Sequence, residues 1–114
     1  MRLIKVAVAC VNQTPFAWDE NFAHLRQAID HARAEGVSML CLPELAITGY
    51  GCEDAFFMDG LQDLAFQQLD QLAQLTEGMV VAVGLPVYHE KALYNAAALL
   101  ANGEIVGFVA KQFL

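Results

Sequence analysis

The chain has 114 residues, 57% of them hydrophobic and only 17% charged, where about 25% charged is usual; this suits part of a larger domain better than a small free-standing one, which needs more polar cover. A formal net charge of −7, with six scattered Lys and Arg residues, excludes a nucleic-acid interface, because nothing gathers cations against a phosphate backbone. No apolar run reaches the roughly 18 residues of a membrane span, and the charged start, without a small-residue cleavage site, is not a signal peptide; the expectation is a cytosolic chain with no membrane partner.

Leu3 to Val11 reads as a buried strand, broken by Asn12-Gln-Thr-Pro15. Asp19 is the expected N-cap of a first helix, on which Phe22, Leu25, Ile29 and Ala32 recur at helical spacing. Gly36 stops it, Val37 to Leu42 is a second buried strand, and Pro43 closes that strand. A strand–helix–strand unit implies parallel pairing. Ligands of such sheets bind beyond the carboxyl ends of the strands, and Glu44 lies just past one such end. An ionisable group at the mouth of a core has its pKa tuned by burial and neighbours, which suits proton transfer.

The loop from Thr48 to Cys52 holds two glycines. Asp59 is the expected cap of a second helix carrying Leu61, Leu64, Ala65, Leu69, Leu72 and Leu75 on one stripe, ended by Gly78. Met79 to Val87 and Leu93 to Ala101 read as a third and a fourth strand, with His89 at the tip between them. Asn102-Gly103 is a strong hairpin signal leading into a fifth strand, Glu104 to Ala110. Lys111 follows as a lone charge at the end of an apolar run. Cys10 and Cys41 are expected in the core. The three cysteines, with Cys52, have no metal spacing, and reduced thiols are the default. His24 and His31 fall on the polar side of the first helix, and no residues complete a metal motif.

Five motifs occur in order: L-P-E-L with a following G-Y (Leu42 to Leu45, Gly49, Tyr50), G-L-P-V (Gly84 to Val87), L-Y-N-A-A (Leu93 to Ala97), N-G-E-I-x-G (Asn102 to Gly107), and K-x-x-L (Lys111 to Leu114). Together they resemble the nitrilase superfamily of carbon–nitrogen hydrolases. Within it, Gly49-Tyr-Gly-Cys-Glu-Asp54 is most similar to the glutaminase domain of glutamine-dependent NAD synthetases.

The resemblance implies an α/β fold, the first part of a four-layer α-β-β-α sandwich, with residues 1–114 as a partial domain continuing beyond the C-terminus. It implies a Glu–Lys–Cys triad in which Glu44 is the general base and Lys111 the lysine, the nucleophilic cysteine lying beyond residue 114. Cys52, near Glu44 in sequence, is not expected to be that nucleophile. The activity implied is glutamine hydrolysis supplying ammonia for NAD synthesis from deamido-NAD. The amidase half-reaction is expected to need no cofactor or metal; ATP and magnesium would belong to a downstream synthetase domain. Family habit implies a homo-oligomer.

The chemistry suits these residue types. A thiolate adds to an amide carbonyl to form an acyl intermediate; a carboxylate within reach takes the thiol proton and later activates water; a fixed ammonium stabilises the oxyanion. Glu44 and Lys111 can serve only if their strands lie close in the sheet. Asn95 is expected to pack and to make a backbone hydrogen bond rather than touch substrate. Two other readings remain open: a stand-alone amidase or carbamoylase on another small amide, and a truncated non-catalytic module that binds a partner. The 114 residues alone are expected to be inactive.

Overall fold

The structure, a computed structural model, describes residues 3–50 and 60–111. Over these residues the chain forms β1 (Val6–Val8), α1 (Trp18–Ala34), β2 (Met39–Cys41), α2 (Leu61–Ala73), β3 (Val80–His89), β4 (Ala92–Ala101) and β5 (Glu104–Ala110). The strands form one sheet in chain order. Each helix carries the chain from one strand to a parallel neighbour, with Val6 opposite Met39 and Met39 opposite Val80. β3, β4 and β5 then run antiparallel. Their two-residue turns, Glu90-Lys91 and Asn102-Gly103, have positive φ at all four positions, the hairpin geometry that matches strand twist.

Both helices press apolar stripes on one face of the sheet. Leu25 and Ile29 of α1 and Leu69 and Leu72 of α2 pack in one core with Leu40, Val81, Val83, Leu85 and Leu100 of the strands. α1 starts two residues earlier than expected: Ala17 is the N-cap, and Asp19 lies in the first turn, where a negative charge still favours the positive end of the helix dipole. Gly60 is the N-cap of α2; Asp59 lies outside the described residues, as do Cys52, Glu53 and Asp54.

The opposite face of the sheet is different. Among the described residues no helix packs on it, and its apolar side chains stand open: Val6 is 61% exposed, Val8 80%, Met39 47% and Val109 61%. Two expectations are corrected here. The segment from Leu3 to Val11 is strand only over Val6–Val8, and its residues are half-exposed or exposed, because β1 is an edge strand with one uncovered face. Cys10 and Cys41 are exposed rather than in the core. Both lie in apolar sequence, but strand alternation turns Cys41 away from its buried neighbours Leu40 and Leu42.

Candidate active site

The uncovered face carries the charges. Glu44 follows β2, where the chain leaves the sheet and returns over β3. Leu42 N–H donates to the Ala82 carbonyl at 2.8 Å, Gly84 N–H to Pro43 at 3.2 Å, and Ile47 N–H to Gly84 at 3.2 Å. Residues 44 to 46 therefore bulge across Gly84. A Cβ at Gly84 would stand 2.4 Å from the Leu45 nitrogen, so the crossing requires glycine. Leu45 has φ +49°, a left-handed conformation costing about 1–2 kcal/mol for such a residue. Strain of this kind persists only where the surroundings over-determine it.

The surroundings include the loop before α1. Gln13 Nε2 donates to the Ala46 carbonyl at 2.7 Å, and Phe16 N–H donates to Thr48 at 3.3 Å. Gly49, at φ +88°, passes so close to Thr14 that a Cβ would lie 2.9 Å from its carbonyl carbon. Asn21, 1% exposed on the inward stripe of α1, exchanges two hydrogen bonds with the Thr14 backbone. His24 is half-buried, with Nδ1 2.8 Å from Gln13 Oε1, whereas His31 is exposed as expected. Sequence reasoning missed this network; its signal was one amide, Asn21, at a position whose helical neighbours Leu25 and Ile29 are apolar.

Lys111 reaches the same face through a fault in β5. Leu100 pairs with Ile105, but Leu99 pairs with Gly107, so Val106 has no opposite number. This is a β-bulge, and one extra residue reverses which face the rest of a strand presents. Before it, Ile105 points to the helices and packs on the core. Beyond it, Phe108 points there too, its ring 5.7 Å from that of Phe66 in α2. Val109 and Lys111 turn to the uncovered face. Without the bulge, Lys111 would point at the helices.

The two charges meet at short range. Lys111 Nζ donates to Glu44 Oε1 at 2.6 Å across 67 positions of sequence. Asn95 Nδ2 donates to the same oxygen at 2.6 Å, and the Tyr50 hydroxyl donates to Glu44 Oε2 at 2.8 Å. Neither Asn95 nor Tyr50 was expected to hold the carboxylate. The hydrogen bond from Lys111 foremost, then that from Tyr50, holds Glu44 below the usual carboxylate range; partial burial opposes this, and the Asn95 bond and the Lys111 charge add to it. The bond to Glu44 raises the Tyr50 hydroxyl above its ordinary value. Glu44 is thus an ionised acceptor at neutral pH.

A pocket of about 330 Å3 lies against the pair, floored by Ala82, Gly84 and Ala97 and walled by Cys41, Asn95 and Val109. The small floor residues leave room for a ligand beside the two charges. Among the described residues no group of three or more His, Cys, Asp or Glu side chains could hold a metal ion, and no helix is long and apolar enough to cross a membrane.

Residues 5–112 match the carbon-nitrogen hydrolase family. The chain belongs to that family. The rice glutamine-dependent NAD(+) synthetase is 33% identical over 108 residues, which are 93% of this chain and 15% of the rice protein. A crystal structure of a glutamine-dependent NAD(+) synthetase from Cytophaga hutchinsonii is similar at TM-score 0.94 and 42% identity, over 97% of this chain and 19% of that one. A glutamine-dependent NAD+ synthetase from Acinetobacter baumannii, in complex with ADP, has TM-score 0.74 and 26% identity over 94% of this chain and 21% of its own. An amidase from Nesterenkonia sp., at TM-score 0.80 and 21% identity over 97% of this chain and 43% of its own, shares the fold. This carbon–nitrogen hydrolase chain thus spans 15 to 21% of its synthetase relatives named here, and its helix-backed sheet is the first part of a nitrilase-type α/β fold.

Proposed function

We propose that this chain supplies the general base, Glu44, and the oxyanion-stabilising lysine, Lys111, of a glutamine-hydrolysing Glu–Lys–Cys site. The nucleophilic cysteine would come from outside these 114 residues, and the ammonia would serve ATP-dependent synthesis of NAD from deamido-NAD. The observation that carries this reading is the 2.6 Å Lys111–Glu44 contact on the uncovered sheet face. A surface ion pair alone would mean little. Here a bulge, a strained Leu45 and a glycine that admits no side chain are all spent on bringing two distant charges together.

The chemistry follows from the donors. Among the described residues, Oε1 accepts from Lys111 and Asn95, while Oε2 accepts from Tyr50 alone. A carboxylate oxygen has two acceptor sites, so Oε2 keeps one for a thiol proton. The thiolate adds to the amide carbonyl, and the oxyanion draws on the Lys111 ammonium. Glu44 passes its proton to the leaving ammonia, and then activates the water that cleaves the thioester. Covering this face would desolvate Glu44 and raise its pKa towards that of a useful base.

Glutamine as the amide is supported by the synthetase relatives; the amidase likeness is one of fold. ATP and magnesium would act in a separate synthetase domain, for which the ADP-bound relative is the support. The whole protein would be cytoplasmic and a homo-oligomer.

The test is a substrate panel on the full-length protein. Ammonia release is expected from glutamine well above that from short aliphatic amides or N-carbamoyl amino acids, with NAD formed from deamido-NAD and ATP when glutamine replaces ammonium. Preference for another amide, without NAD formation, would make it a stand-alone amidase. No hydrolysis of any amide would favour an interaction module.

A further inference from the structure

We propose that Asn95 is a positioning residue that orients the Glu44 carboxylate against Lys111, an inference resting on the reading of that pair as an amide-hydrolysing site. Its backbone carbonyl accepts the Lys111 N–H at 2.8 Å, and its side-chain Nδ2 donates to Glu44 Oε1 at 2.6 Å. The first bond continues the β4–β5 ladder and sets Lys111 beside residue 95; the second belongs to the asparagine side chain. The amide orientation is dictated by chemistry: an ionised carboxylate only accepts, so the nitrogen faces it.

The surroundings make a packing role a poor account of this amide. β4 continues from Asn95 as Ala96-Ala-Ala-Leu-Leu-Ala101, and an alanine would suit that run. Across the sheet Asn95 stands opposite Pro86 in a non-hydrogen-bonded pair, and the Pro86 carbonyl accepts from Gln62 of α2 at 2.7 Å. The side-chain amide of Asn95 is given to the ion pair. The result at Glu44 is asymmetric: Oε1 is saturated by an ammonium and an amide, and Oε2 is the oxygen left to accept. Without the amide, Lys111 and Tyr50 would be the carboxylate's remaining donors among the described residues, and rotation about its last bond would be less opposed.

The test uses the full-length protein as wild type, Asn95→Ala and Asn95→Asp, with kcat/KM for glutamine measured against pH. The acid limb reports the free enzyme's base. Asn95→Ala is expected to lower kcat/KM about 10- to 100-fold, mainly through kcat, and to move the acid limb to higher pH. Asn95→Asp is expected to move it further, because a second carboxylate beside the first opposes ionisation. NAD synthesis from added ammonium should persist in each variant, and thermal unfolding should match wild type, showing an intact fold; Asn95→Ser replaces any variant that unfolds early. An acid limb unmoved in the variants overturns the proposal however far the rate falls, since a packing defect slows turnover without shifting a titration. If the wild type releases no ammonia from glutamine, the functional reading fails instead. The crystal structure of Asn95→Ala then decides the positioning role: a displaced Glu44 carboxylate supports it, and one unmoved against Lys111 overturns it.

Discussion

At Glu44 three donors converge on one carboxylate, and all of them favour its charged form. Its folded pKa lies below its unfolded one, so the stabilisation is present above the usual carboxylate range and is lost as pH falls through the folded value. The side chain is 36% exposed, so solvent screening keeps the effect near 1 kcal/mol or less. Stability curves of wild type and Glu44→Gln are expected to differ modestly at pH 7 and to converge in acid; a gap that widens in acid would contradict this. Gly84 is the harsher test at this scale. Gly84→Ala sets a methyl 2.4 Å from the Leu45 nitrogen, and displacing backbone in a packed region costs about 1–3 kcal/mol. Denaturant unfolding should show that loss, together with a fall in glutamine hydrolysis of at least about tenfold. Wild-type stability and rate in Gly84→Ala would mean that the crossing loop moves aside freely.

Among the elements, β5 decides most. Its bulge at Val106 turns Lys111 to the face that holds Glu44. Deleting Val106 would restore regular alternation and send the ammonium towards the helices. Glutamine hydrolysis should then drop at least about a hundredfold, the scale of losing one oxyanion donor. Retention of activity would show that Lys111 is not needed on that face. The fifth strand was legible in the sequence, bounds included, because Asn102-Gly103 announces a hairpin and an apolar run follows. The bulge was not, because an extra residue in a strand leaves no mark in composition. Helix stripes were legible from their spacing: Leu25, Ile29, Leu69 and Leu72 all reach the core, although Leu64, expected on the second stripe, is 42% exposed. The head of α1 was not, since Asp19 and Ala17 are two residues apart and a first-turn acid and a capping acid look alike in sequence.

On the scale of the whole molecule, the helices among the described residues cover the sheet on one face only. That is what 57% hydrophobic and 17% charged residues express, and it explains why Cys10 and Cys41 were misread. An apolar strand says that both faces are destined for burial, not that these residues bury them. Glu44 and Lys111 were legible as candidates because the motifs around them resemble a family. That they touch, and that Tyr50 and Asn95 share the carboxylate, depends on register across four strands, which no local pattern contains. The 114 residues in isolation should release no ammonia from glutamine. With Val8, Val109 and Met39 exposed, they should bind a hydrophobic dye and self-associate at micromolar concentration, as large apolar patches do. A monodisperse, dye-silent monomer would show that this face is tolerated open.

The most direct test of the account is glutamine hydrolysis by the full-length protein carrying Glu44→Gln, measured beside NAD synthesis from added ammonium. The amide keeps the shape of Glu44 and removes the base. Ammonia release is expected to fall by about a hundredfold or more while ammonium-dependent synthesis continues. Undiminished ammonia release from glutamine would contradict it, because the carboxylate on which Lys111, Asn95 and Tyr50 converge would then have no part in the chemistry.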